Sequence, residues 1–225
     1  MKRIFGGWTH KSDLLSDAML QAWLIDAEIL ESDGFGIKVA RLRQGNILKI
    51  FRVKRWFSSA QLYSYARRFC RNAQRLALLD VPTVKVQHLY HCEDKIRSVV
   101  VYAPLEGVTA LQMLNAQTLD NQHAQALGAF IADLHDKGIY FRGLHLGNIV
   151  LTPEDRFGLI DVSEMTIFPW RLGCRRRFRN FARFWRTFED KYAFGYQGIH
   201  ALIQGYHGRC RKVEMKLKEI ERHLM

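Results

Sequence analysis

The chain has 225 residues, of which 48% are hydrophobic and 12% aromatic, which excludes intrinsic disorder and allows one good core or two small lobes. Its 34 Lys and Arg against 22 Asp and Glu give a net charge of +12, which points to an anionic partner. Cys70, Cys92, Cys174 and Cys210 form no Cys-x-x-Cys pair, so neither a zinc site nor a disulfide framework is expected, and reduced thiols in a cytoplasmic compartment are the plain reading. Lys2 and Arg3 precede an apolar stretch interrupted by Asp13, Asp17 and Gln21, unlike a signal peptide, and no run approaches bilayer length.

In chain order, Glu28 to Gly36, Ile37 to Leu42 and Asn46 to Phe51 read as three strands joined by turns at Asp33-Gly34 and Gln44-Gly45-Asn46. Asp33-Gly34 makes a good plain hairpin turn, and the Gly34-x-Gly36 spacing also suits a backbone that approaches phosphate. Ser58 is placed to cap a helix with Leu62, Tyr65, Ala66, Phe69, Ala73 and Leu76 at helical spacing, ending before Asp80-Val81-Pro82. Val84 to Tyr90 and Arg97 to Tyr102 read as further strands, and helical patterns dominate after Tyr102 to Gly107. A helix over 127–138 has Leu127, Phe130, Ile131 and Leu134 on one face and Gly138 as its stop, followed by β-like runs at 148–151 and 157–162. Beyond Gly208, Val213, Leu217, Ile220 and Leu224 predict a terminal amphipathic helix, packed on the preceding lobe or docking a membrane or partner.

The run Ile139-Tyr140-Phe141-Arg142-Gly143-Leu144-His145-Leu146-Gly147-Asn148-Ile149-Val150-Leu151, followed by Gly158 to Val162, carries the chemistry. An ordinary hairpin with Pro153 to Arg156 as its turn would also place Asn and Asp at this spacing. The run resembles the catalytic loop and metal-binding turn of protein-kinase-like phosphotransferases, H-R-D-L-x-x-x-N followed by D-F-G. Arg142, Leu144 and Asn148 fall in place and Asp161 takes the metal-binding aspartate, but Phe141 replaces the histidine and Gly143 the catalytic aspartate. On the same pattern Lys49 stands where the strand lysine holds the α- and β-phosphates, and the helix after Ser58 takes the αC position. Residues 34–79 contain no Asp or Glu, so no carboxylate of that helix pairs with Lys49. Asn72 falls about where that glutamate is expected, and its amide could accept one hydrogen bond from the ammonium.

Leu48-Lys49-Ile50-Phe51, Asn72-Ala73-Gln74-Arg75-Leu76, Phe141 to Leu151 and Ile160-Asp161-Val162 together resemble the lipopolysaccharide core kinase family. These are the Kdo and heptose kinases and the bacterial relatives labelled toluene-tolerance proteins, and the resemblance covers about residues 25–205. It implies an α+β, protein-kinase-like two-lobe fold: a small antiparallel-sheet N-lobe with an αC helix over about 25–103, a hinge at about 102–107 and a reduced helical C-lobe over about 108–225. It further implies ATP with Mg²⁺ or Mn²⁺, with Gly34, Gly36, Lys49, Tyr102 and Ala103 on the nucleotide and Asn148 and Asp161 on the metal. The substrate so implied is a lipopolysaccharide core sugar, phosphorylated at the cytoplasmic face of the inner membrane.

Gly143 leaves turnover open. A positioned base contributes about 10²- to 10⁴-fold, whereas positioning and charge neutralisation do most of phosphoryl transfer. A slow kinase and a pseudokinase that binds nucleotide or scaffolds a partner are both compatible. His145 stands two residues further along the loop that carries Arg142, and reads as a substitute base, a phosphate contact or a buried structural histidine.

The basic charge is localised: 34–79 holds eleven Lys or Arg and no acid, and 165–188 holds seven Arg and no acid. The second set, Arg171, Arg175, Arg176, Arg177, Arg179, Arg183 and Arg186, interleaves with Trp170, Phe178, Phe181, Phe184 and Trp185. The aromatic residues, at helical spacing, read as core ahead of a ligand stripe, and the arginines as phosphate-recognising forks. Phosphorylated lipopolysaccharide or another anionic headgroup fits this face, with peripheral contact to an anionic membrane. Nucleic acid ranks third, since no nucleic-acid-binding signature accompanies the charge. Oligomeric state has no signal in the chain.

Overall fold

The computed structural model of the protein describes residues 12–52, 59–94, 96–184, 188–208 and 210–222. It divides into two units, residues 1–105 with 162–164, and residues 106–161 with 165–225.

The first unit comprises β1 (Asp13–Leu15), α1 (Asp17–Ile25), β2 (Glu28–Asp33), β3 (Gly36–Arg41), β4 (Ile47–Arg52), α2 (Ser59–Leu78), β5 (Lys85–Cys92) and β6 (Arg97–Ala103). The strands form one sheet in the order β1-β5-β6-β4-β3-β2. Pairings from β2 through β6 are antiparallel, but β1 joins β5 in parallel, so the sheet is not wholly antiparallel as expected. The reason lies before residue 25: Ser16 caps α1 by accepting from Met19 N–H at 3.2 Å, and the resulting turn tucks Leu15 and Leu20 into the core.

Strand alternation then gives the sheet two different faces. On β4, Leu48 and Ile50 pack with Leu15, Leu20, Val99 and Val101. Lys49 and Phe51 point the other way, and both lie close to Phe69 of α2. Along α2, Ala66, Phe69, Ala73 and Leu76 are buried as their spacing predicts. Tyr65 instead stays exposed, its ring under the Arg68 guanidinium at 4.2 Å. The expected cap Ser58 lies outside the described residues.

The second unit comprises β7 (Val108–Thr109), α3 (Ala110–Asn115), α4 (Asn121–Asp136), β8 (Ile139–Phe141), β9 (Ile149–Leu151), β10 (Phe157–Leu159), β11 (Met165–Ile167), α5 (Cys174–Phe184), α6 (Phe188–Tyr206, interrupted at Gly195) and α7 (Arg211–Arg222). Its strands form two small sheets, β10-β9-β7 and β11-β8. Asp120 caps α4 by accepting from His123 N–H at 2.8 Å, and Gly138, at φ +77°, ends the turn beyond it.

Leu127, Ile131 and Leu134 of α4 are buried, whereas Phe130 is half-buried. The helix meets α6 through paired glycines: a Cβ at Gly128 would lie 2.2 Å from the Leu202 carbonyl oxygen, and one at Gly205 would lie 1.9 Å from that of Gln125. In α7, Val213 is buried, while Leu224 and the Leu217 and Ile220 side chains lie outside the described residues. The chain is thus a mixed α/β protein with a six-stranded sheet and several helices, consistent with a kinase-like two-lobe fold.

Candidate active site

In the first unit, Lys49 occupies the middle of a central strand, opposite Val39 on one side and Val100 on the other. Only 7% of it is exposed, and its ammonium lies 5.7 Å from the Phe51 ring centre and 5.8 Å from that of Phe69. Aromatic faces thus contribute to its surroundings, with favourable cation–π geometry, in a segment whose helix offers no carboxylate.

Asn72 is 1% exposed, and its amide nitrogen donates to the carbonyl of Val162 at 2.7 Å. That bond ties α2 to the residue that follows Asp161 in sequence, a task the sequence did not suggest. Tyr102 packs its ring 5.2 Å from Phe69 and pairs with Ile47, while Ala103 ends β6 opposite Lys85.

The hairpin bearing Gly34 and Gly36 is tight. Asp33 pairs with Gly36, and the Phe35 N–H donates to the Asp33 carboxylate at 2.9 Å. Arg52 donates to the same carboxylate at 3.3 Å and to the carbonyls of Gly36 and Ile37. The φ of +105° at Gly36 is a turn requirement in its own right, whereas Gly34 needs no such angle.

In the second unit, the loop after β8 holds Arg142, Gly143, His145 and Asn148, and strand pairing carries Ile160, the residue before Asp161, to Asn148. Leu159 pairs with Ile149, and the Ile160 N–H donates to the Asn148 carbonyl at 3.0 Å. The Asn148 amide nitrogen donates to the Gly143 carbonyl at 2.9 Å, which orients its amide. Asp161 is exposed and takes the left-handed backbone at φ 50°, which also ends the strand-like run before residue 162.

The side-chain oxygens of Asn148 and Asp161 are hard donors that suit a hard cation such as Mg²⁺. Among the described residues no group of three or more His, Cys, Asp or Glu could hold a metal. Mg²⁺ commonly takes several of its ligands from phosphate and water. When bound, such an ion would neutralise charge on the transferring phosphoryl group.

Arg142 and His145 are both exposed. Exposure removes the buried structural role from the readings of His145. The two substitutions at the kinase pattern are coupled: a Cβ on Gly143 would lie 2.9 Å from Cε2 of Phe141 and 3.2 Å from the Asn148 amide nitrogen. The Phe141 ring, 1% exposed, fills the space that an aspartate's Cβ would need.

Beneath the loop lies a buried polar chain with no local sequence signal. Asn180 of α5 accepts from Phe141 N–H at 3.3 Å and donates to the Phe141 carbonyl at 2.5 Å, clasping the backbone where the loop begins. Its oxygen also lies 3.3 Å from Nε2 of His135, whose Nδ1 is 2.7 Å from the Tyr206 hydroxyl. Since the Asn180 oxygen can only accept, His135 carries its proton on Nε2 and Tyr206 donates to Nδ1.

Burial, reinforced by the nearby Arg177 guanidinium, pushes the His135 imidazole down to about 4 and keeps it neutral. Burial likewise raises the Tyr206 hydroxyl above its ordinary value. Arg177, 3% exposed, donates to Asp136 at 2.5 Å and to the Leu172 carbonyl at 2.7 Å.

The second basic cluster therefore splits. Arg177 is a buried structural group, not a partner contact, whereas Arg171, Arg175, Arg176 and Arg179 are exposed. The Arg183 side chain, Trp185 and Arg186 lie outside the described residues. Phe181 and Phe184 are core, but Trp170 is 60% exposed, because it precedes α5 and does not share the helical face its spacing suggested. Phe168 is half-buried and takes the Arg176 guanidinium at 4.4 Å.

The sequence model of the Lipopolysaccharide kinase (Kdo/WaaP) family matches residues 42–206. The chain belongs to this family. Lys49, Asn72, the loop from Phe141 to Asn148, Asp161 and Asn180 all fall inside the matched span. The family is one of kinases acting on the lipopolysaccharide core, and kinases in general use ATP and a divalent metal. No curated protein matches the chain significantly. Among the described residues no helix is long and apolar enough to cross a membrane.

Proposed function

We propose that the protein is an ATP-dependent phosphotransferase acting on a lipopolysaccharide core sugar at the cytoplasmic face of the inner membrane, with slow or atypical turnover. The observation that carries this reading is the backbone bond from Ile160, the residue before Asp161, to the Asn148 carbonyl, at adjacent strand ends within the family-matched segment. In this reading Lys49 meets the α- and β-phosphates, with Gly34, Gly36, Tyr102 and Ala103 as further nucleotide contacts. Asn148 and Asp161 hold Mg²⁺ or Mn²⁺. Arg142 and His145 complete the loop, and the exposure of His145 supports contact with a reacting proton or with phosphate.

The exposed Arg171, Arg175, Arg176 and Arg179 supply the contact with a phosphorylated substrate or anionic headgroup. Gly143 supports the alternative, a pseudokinase that binds nucleotide or acts as a scaffold. The nucleotide part is tested by melting temperature: Mg²⁺–ATP is expected to raise it by several degrees and ATP with a chelator to raise it less. Absence of any nucleotide effect would leave only the scaffold version, and label moving from the γ-phosphate to core oligosaccharide separates enzyme from pseudokinase.

A further inference from the structure

Cys174 and Cys210 are 36 positions apart in sequence, yet the fold brings them together. Cys174 is the first residue of α5 and is exposed. Cys210 immediately precedes α7, is 3% exposed, and its carbonyl accepts from Val213 N–H at 3.0 Å and Glu214 N–H at 3.1 Å. The Cys210 thiol donates to the Cys174 carbonyl at 3.8 Å, and Cys210 is the group that most perturbs the Cys174 thiol. Cys70 and Cys92 are enclosed in the first unit, where burial pushes their thiols up to about 12 and about 11. One accessible thiol with a shielded thiol beside it is an arrangement suited to attack followed by resolution.

We propose that Cys174 and Cys210 form a reversible redox pair, converted by a hydroperoxide into an intrachain disulfide that joins the start of α5 to the start of α7. The Cys174 thiolate attacks the outer peroxide oxygen and breaks the O–O bond; the other oxygen leaves as alkoxide, takes up a proton and becomes an alcohol, leaving Cys174 as a sulfenic acid. Cys210 then attacks that sulfur, its thiol proton joins the departing hydroxide as water, and the S–S bond forms. Each sulfur gives up one electron, and the two peroxide oxygens take up both. The neighbouring Cys210 holds the Cys174 thiol above its ordinary range, with Arg177 and Lys212 opposing it, so oxidation requires sustained peroxide.

The mechanical consequence follows from what Cys174 adjoins. Leu172, two residues before it, donates its N–H to the His135 carbonyl at 2.8 Å and accepts from Arg177. A disulfide at Cys174 would fasten α7 to the same strap that supports the buried histidine. It would therefore suppress opening of α7.

The test is to expose the full chain to hydrogen peroxide, map peptides without reduction, and follow amide hydrogen exchange. The expected result is a Cys174–Cys210 cross-link within one chain, loss of two hydrogens, exchange in α7 slowed several-fold, and full reversal by dithiothreitol. In Cys174→Ser, a conservative change at an exposed position, peroxide should leave both Cys210 and α7 exchange unaltered. Over-oxidation of Cys174 with Cys210 still a thiol, a cross-link between chains, or the same slowing in Cys174→Ser would overturn the pair.

Discussion

The two units support their candidate catalytic groups with different devices. In the first, the Asn72 amide bonds the Val162 backbone, and aromatic faces pack near the Lys49 ammonium. In the second, Asn180 holds both the N–H and the carbonyl of Phe141 and continues through His135 to Tyr206. Both devices use a carboxamide, which can donate and accept at once and carries no charge to desolvate. Asn180 clasps two backbone groups of one residue where the loop bearing Asn148 begins, whereas Asn72 reaches the backbone beside Asp161, and this asymmetry predicts which substitutions should matter most.

The largest effect is expected where the proposed metal site loses its carboxylate. Asp161→Asn should lower phosphate transfer by about three orders of magnitude, the rate equivalent of several kcal/mol of charge stabilisation, with the melting temperature nearly unchanged. Next comes Asn180→Leu, which leaves the Phe141 N–H, the Phe141 carbonyl and His135 Nε2 without this partner and should cost about 3–5 kcal/mol in denaturant unfolding. Asn72→Leu, which takes the amide donor from the Val162 carbonyl, should cost about 1–3 kcal/mol. If the two changes cost the same, the asymmetry between the units is not real.

The buried histidine sharpens the comparison through pH. An unfolded His binds its proton near 6.5, but folded His135 does so only near 4, so the unfolded state holds more protons between those values. Its contribution to stability is complete above about pH 6.5 and is lost on acidification towards pH 4, amounting to about 3 kcal/mol. Unfolding curves across that window should be flatter in His135→Gln than in the native chain.

The smallest change concerns the missing base. Gly143→Asp should cost about 1–3 kcal/mol from overpacking against Phe141, and should not by itself speed transfer. A faster rate in that single variant would show that the absent carboxylate alone was limiting.

Much of this arrangement was legible in the chain because its parts are contiguous. The central strand around Lys49, the helix after it and the loop from Phe141 to Asn148 each carry a local pattern. β1 and α1 were not legible, since three residues make too short an alternation and α1 buries only Leu20. Asn180, His135 and Tyr206 lie far apart in sequence and gain meaning only when α4, α5 and α6 meet. Trp170 misled for the opposite reason: its spacing matched a helix that begins four residues later, at Cys174. The Gly143 substitution was visible, but the Phe141 ring that occupies its space became evident only in three dimensions.

The most direct test is single-turnover transfer of labelled γ-phosphate from Mg²⁺–ATP to purified lipopolysaccharide core oligosaccharide, with the product sugar located by mass spectrometry. The account predicts slow, metal-dependent phosphorylation of a core sugar by the native chain and none by Asp161→Asn. Binding of Mg²⁺–ATP by the native chain with no transfer to any core fraction would contradict it.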